Sequence, residues 1–181
     1  MIMSFTKFLF FILITFSCLT ACIDDSEPTQ TGSRLKVGDS LPPFHLKTTN
    51  GECINNDSLW GKRSLIVFFN TQCPDCRNEL PSIDSLYIAL KHQPDFRLIC
   101  IAREENAESI EEYWRTHHFT MPVSAQTDRT IFNHFAYSGI PHIFISNHEC
   151  LIQYIHNEND KPTFKQLLQE INETTRQQLN K

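Results

Sequence analysis

The 181-residue chain lacks a basic block: its net charge is −5, from 16 Lys and Arg against 21 Asp and Glu. A nucleic-acid surface needs clustered cations to meet the phosphate charge, so the sequence carries no electrostatic footprint of that partner. A small-molecule or protein substrate fits better. There is no internal repeat and no composition of bulk disorder. One domain of ordinary size remains, with 40% apolar residues and 14 Phe to build its core. The longest apolar run, Phe8 to Leu19, falls short of the ~20 residues that cross a bilayer. Cys-x-x-Cys occurs once, at Cys73 and Cys76, and supplies two of the about four ligands that a metal site takes.

The apolar run follows Lys7, the only charge before Asp24, which is the pattern of a secretory signal that is removed. Leu19-Thr20-Ala21-Cys22 resembles the lipobox of bacterial lipoproteins. That resemblance implies a signal peptide over 1–21 and lipidation of Cys22 as the mature N-terminus. Several acyl chains anchor stably where a single one binds marginally. Asp24 to Lys36 is polar and aperiodic, so residues 22–36 read as a flexible tether and 37–181 as the folded domain. The domain is expected in the bacterial cell envelope, on the periplasmic side of a membrane.

Within the domain the period of the apolar residues changes repeatedly. Phe44–Lys47 and Glu52–Asn55 alternate around Thr48-Thr49-Asn50-Gly51, which predicts an N-terminal hairpin. Leu65–Phe69 is unbroken and apolar, as in a strand buried on both faces. From Pro74 onward, Leu80, Ile83, Leu86, Tyr87 and Leu90 recur at helical spacing. Arg97–Ala102 predicts a second buried strand, and Ile110, Tyr113, Trp114 and His117 a second helix behind an Asn106 cap. A short strand at 121–124 and a short helix at 128–135 follow. His142–Ser146 and Cys150–Ile155 predict an antiparallel hairpin, and Phe164, Leu167, Leu168 and Ile171 a closing helix. The fold class is α/β, a central mixed sheet flanked by helices.

This order, with Cys-x-x-Cys at a strand-to-helix junction and a Pro opening a late hairpin, resembles the thioredoxin fold. More narrowly it resembles the membrane-tethered thiol-disulfide oxidoreductases of the TlpA and ResA type. The resemblance rests on Val37-Gly38-Asp39, Pro43-Phe44-His45-Leu46, Leu59-Trp60-Gly61-Lys62, Cys73-Pro74-Asp75-Cys76 with Glu79-Leu80-Pro81, and Gly139-Ile140-Pro141. Two positions depart from it. Gln72 stands where the family has Trp, and Val67 where thioredoxins proper keep a buried acid. The resemblance moves the proton-transfer role to Glu79. It also implies that Pro141 is a cis proline against the disulfide and that Ile140 offers its backbone to the substrate as an added strand. No cofactor is implied.

On this reading Cys73 is the N-cap of the helix and Pro74 its first residue, where a missing N–H costs nothing. The N–H groups of Asp75 and Cys76, with the positive helix end, would favour thiolate at Cys73, which makes it the nucleophile. Cys76, one turn deeper, would resolve the mixed disulfide, with Glu79 on the same face as its base. Pro81 is expected to kink the helix. Asp75 and Glu79 place negative charge near the sulfur, which points to a reductase rather than a strong oxidant.

Cys100 reads as a core residue, and a Cys53–Cys150 disulfide is conceivable but unsupported by spacing. His117-His118 reads as a polar helix end, and His134, His148 and His156 have no ligand spacing. Three functions separate on experiment. An envelope oxidoreductase would be trapped on partner proteins by Cys76→Ser. A metal-binding or metal-delivery module would use Cys73, Cys76 and His142. A peroxiredoxin-type peroxidase would need Thr three residues before the reactive cysteine, where this chain has Asn70. The first is favoured, with envelope proteins and an upstream electron donor as partners.

Overall fold

An unbroken apolar strand has to sit where both sheet faces are covered, and in the computed structural model, which describes residues 32–179, it does. Strand β3 (Arg63–Phe69) is buried at every position. Ahead of it, β1 (His45–Lys47) and β2 (Cys53–Asn55) pair antiparallel as a separate hairpin sheet. The main sheet adds β4 (Phe96–Arg103), β5 (Val123–Gln126), β6 (His142–Ser146) and β7 (Ile152–His156), in the order β5-β4-β3-β6-β7. The β3–β4 and β4–β5 pairs are parallel, whereas β6 lies antiparallel to β3 and β7 to β6.

Side-chain alternation then divides the core in two. Leu65, Val67 and Phe69 face helices α2 (Pro74–Leu90), α3 (Ala107–His117) and α5 (Phe164–Leu179). Ile66 and Phe68 face the hairpin, α1 (Asn56–Leu59) and α4 (Thr130–Phe135). On this second face the Phe68 ring centroid lies 5.4 Å from Phe132, 4.9 Å from Phe135 and 6.1 Å from Phe144. Such close, tilted ring contacts add to the area burial of each Phe.

Several boundaries differ from the sequence reading for identifiable reasons. The four-residue α1 is too short to show a period, but a reciprocal cap marks it. Asn55 Oδ1 accepts from Ser58 N at 2.9 Å, and Ser58 Oγ from Asn55 N at 3.0 Å. β5 starts at Val123 rather than 121, because Asp84 of α2 takes the N–H groups of Thr120 at 2.7 Å and Met121 at 3.0 Å. Asp128 stays outside α4 and its carboxylate accepts from Thr130 N at 2.8 Å. α2 runs through Pro81 as one helix.

The expected tether over 22–36 is too long at its C-terminal end. Arg34 N donates to Phe135 O at 3.0 Å and Tyr137 N to Gly32 O at 2.8 Å, so the paired chain already includes residues 32–36. The signal peptide over 1–21 and the lipidation site Cys22 lie outside the described residues. Among the described residues no helix is long and apolar enough to cross a membrane.

Phe68, fully buried among three other phenylalanines, sets the first expectation. Phe68→Ala should lower the unfolding free energy by about 3–5 kcal/mol, read from urea titration. A loss below about 1 kcal/mol would mean that this face collapses to fill the cavity.

Candidate active site at the start of the second helix

After Phe69 the chain leaves the sheet, and the next residues are tied to the end of β4. Asn70 Nδ2 donates to Arg103 O at 3.0 Å. The Glu105 carboxylate accepts from Thr71 N at 2.9 Å and from the Thr71 hydroxyl. Gln72 N donates to Asn70 Oδ1 at 2.8 Å, and Cys73 N to Asn70 O at 3.1 Å. The loop is thereby fixed before the helix begins.

Cys73 is the N-cap of α2, in extended backbone with φ −78° and ψ 118°, and Pro74 opens the helix. The Cys73 Sγ accepts from Cys76 N at 3.5 Å. Of the two N–H groups expected to face the sulfur, only that of Cys76 bonds to it, because an N-cap acceptor commits to one of the second or third helical positions. Cys73 is half-buried, while Cys76 is 1% exposed. Burial pushes the Cys76 thiol well up, with smaller contributions from the Cys73 side chain and the Glu79 charge, and the Asn70 backbone offsets part of it. The two sulfurs are not bonded to each other in this structure.

The sulfur also meets the late loop. Cys73 Sγ lies 3.6 Å from Ile140 O, and the Ile140–Pro141 peptide is cis. Gly139 just before it has φ +84°, in the region that favours glycine, and a Cβ there would collide with the Glu158 carboxylate. The topology brings this loop to the dithiol because β6 pairs with β3, the strand that leads into the Cys-x-x-Cys turn.

Glu79 lies one turn beyond Cys76. Both its carboxylate oxygens are buried and have no hydrogen-bond partner. Burial is the main cause that pushes its pKa up to about 7; Asp75 and Asp160 add to it, while Lys161 and His156 pull it back. A carboxyl group poised near neutrality beside a buried thiol is suited to exchange a proton with it. Two residues after Cys73, Asp75 Oδ1 pairs with Lys161 Nζ at 2.7 Å.

His142 does not join this group. It stands opposite Phe68 in the sheet register and stacks on Phe144 at 5.0 Å, on the face away from Cys76. Adjacency to Pro141 suggested proximity, but alternation turns the ring to the other side of β6. Burial lowers its pKa. Among the described residues no group of three or more His, Cys, Asp or Glu could hold a metal ion. Cys100 lies in the core with its sulfur 3.4 Å from Met121 Sδ. Cys53 and Cys150 are both free, the first exposed and the second buried in a turn with φ +56°.

The AhpC/TSA family profile matches residues 37–155, from the strand-leading segment to the end of the late hairpin. The chain belongs to the AhpC/TSA family. Thiol-disulfide oxidoreductase ResA of Bacillus subtilis (strain 168) is 28% identical over 115 residues, which cover 64% of this chain and 64% of that one. This chain therefore spans less than two thirds of that relative's length. Sporulation thiol-disulfide oxidoreductase A of the same organism is 26% identical over 114 residues, 61% of this chain and 67% of that one. The crystal structure of StoA from Bacillus subtilis superposes with a TM-score of 0.59 at 22% identity, covering 72% of this chain and 96% of that chain, and shows the thioredoxin fold.

Within this AhpC/TSA member, three site residues had no signal in the sequence reading: Glu105, Arg103 and Lys161. Each is 33 or more residues from its partner in sequence, and only the fold brings it to the Cys-x-x-Cys turn.

The raised Glu79 pKa has a stability consequence. Between the ordinary carboxylate range and about 7 the native protein holds a proton that the unfolded chain has released, so stability falls as pH rises through that window. In denaturant titrations of the reduced protein at pH 5 and pH 8, wild type should lose more stability than Glu79→Gln. Equal losses would show that Glu79 titrates as an ordinary carboxylate.

Proposed function

We propose that the protein is a protein thiol-disulfide oxidoreductase that reduces disulfides of other proteins through Cys73 and Cys76. The observation that carries this reading is the pairing of a half-exposed Cys73 sulfur, held by the Cys76 N–H, with a buried Cys76 one turn from a buried carboxyl. The names of the related proteins support it.

The Cys73 thiolate attacks one sulfur of a substrate disulfide. That bond breaks, and the other substrate sulfur leaves as a thiolate and is protonated. The mixed disulfide is then resolved from within. Glu79, as carboxylate, takes the proton of Cys76, whose sulfur attacks Cys73 and releases the second substrate thiolate. The substrate has gained two electrons, supplied by the Cys73/Cys76 dithiol, which is left as a disulfide. The Ile140 backbone, beside the attacking sulfur, would hold an extended substrate segment as an added strand. That mode asks little of the substrate's side chains.

We read the direction as reduction because the motif carries acids, Asp75 and Glu79, beside the dithiol, and a pair whose reduced form is less stabilised is less oxidising. The peroxidase reading finds less support, because Asn70 occupies the place of the required Thr and its amide is committed to Arg103 O and Gln72 N. Anchoring through Cys22 to an envelope membrane, with envelope proteins as substrates and a separate protein as electron donor, completes the proposal. It rests on the lipobox sequence Leu19–Cys22.

Cys76→Ser should accumulate mixed disulfides through Cys73 in cells, visible on non-reducing gels and absent from the Cys73→Ser, Cys76→Ser double variant. Recovery of no reducible adducts would overturn the reading. In stopped-flow assays with a disulfide peptide, the resolving step should rise with pH to a plateau above about 7, where Glu79 is ionised. Glu79→Gln should slow that step about 100-fold and remove the inflection.

A further inference from the structure

We propose that Lys161 is a positioning residue of the redox pair: by neutralising Asp75 on the helix face that carries Glu79, it sets the charge felt by both the Cys73 sulfur and Glu79, the base of Cys76. This inference rests on the oxidoreductase reading above and adds a residue of the β7–α5 loop to its machinery.

Asp75 lies inside the Cys-x-x-Cys motif, two residues after the nucleophile. Left alone, its carboxylate would oppose a thiolate at Cys73. Lys161, 86 residues further on, reaches it at 2.7 Å. Asp75 and Glu79 are four residues apart on α2 and so share one face, which places the ammonium on the side where Glu79 is buried. The groups around Glu79 are Asp75 and Cys76 from α2, His156 from β7, Asp160 and Lys161 from the loop, and Glu170 from α5 through its bond to His156. Lys161 and His156 are the groups among these that offset the acids.

The loop is not held by the exposed ion pair alone, whose side chains are 55% and 42% exposed. His156, 4% exposed, meets Asp160 Oδ2 with Nδ1 at 2.6 Å and Glu170 Oε2 with Nε2 at 2.8 Å. Gln166 Nε2 donates to Glu170 Oε1 at 3.1 Å, which secures the second carboxylate from within α5. Asp160, itself exposed, is the residue before Lys161, so its bond to the buried His156 ring delivers the ammonium to the motif. An exposed pair contributes little to stability. What it changes is the local potential at two neighbouring titrating groups.

The test is Lys161→Gln in the purified full chain, equilibrated with glutathione buffers and assayed for the pH dependence of the resolving step. At low salt the dithiol–disulfide equilibrium should shift about threefold toward the disulfide, or about 14 mV more negative. The resolving-step midpoint should move above about 7. Lys161→Arg should keep both wild-type values, and in about 1 M NaCl Lys161→Gln should match wild type. Unchanged potential and midpoint in Lys161→Gln would overturn the inference. So would a shift that Lys161→Arg fails to prevent or that survives high salt, since loop packing rather than charge would then be its cause. If wild type itself exchanges no thiols, the oxidoreductase reading fails instead, and the two failures are told apart by that control.

Discussion

A helix that starts directly off a buried strand must satisfy its first N–H groups with whatever its N-cap residue offers, and here that residue offers sulfur. The bond from the Cys76 N–H to Cys73 Sγ ties local backbone geometry to chemistry, because the group that caps the helix is also the sulfur proposed to react. Much of the surrounding structure serves to keep that start where it is. β3 is buried along its whole length and cannot slide. Asn70 and Thr71 are bonded to Arg103 and Glu105 across the neighbouring strand, so the turn between strand and helix has little freedom.

The division of the core into two faces decides which side chains belong to this start. Cys76 packs with Val67 and Phe69 under the helices, where burial disfavours its anion. Glu79 enters the same environment and becomes a weak acid there. His142 follows Pro141 in sequence yet stacks with Phe144 on the opposite face. Two neighbours in the chain thus serve different layers, one bordering the dithiol and the other filling an aromatic core.

Most of the scaffold was legible because periodicity and caps are local signals. The unbroken run at 65–69, the three-and-four spacing after Pro74 and the Asn106 cap, whose Oδ1 accepts from Ser109 N at 2.9 Å, each announce their element within a few residues. The Cys-x-x-Cys junction announced the site for the same reason. What stayed hidden was relational. The side on which His142 falls depends on the β3–β6 register, and Thr71 finds Glu105 only when β3 and β4 lie side by side. Asp84 moves the start of β5 by taking N–H groups from a segment 36 residues away, which no window of sequence displays. The bonds of residues 32 and 34 have the same origin, since Gly32 and Arg34 find their partners beyond residue 134.

Gly139 illustrates how tightly the two halves of the site are fitted. Its left-handed backbone excludes most side chains, and the Glu158 carboxylate fills the space that any Cβ would need. Drift at this position therefore meets two independent barriers, and shortening residue 158 would lift just one of them. The backbone barrier is the one that a shift of the Glu158 side chain cannot relieve, which constrains position 139 although it carries no reactive atom.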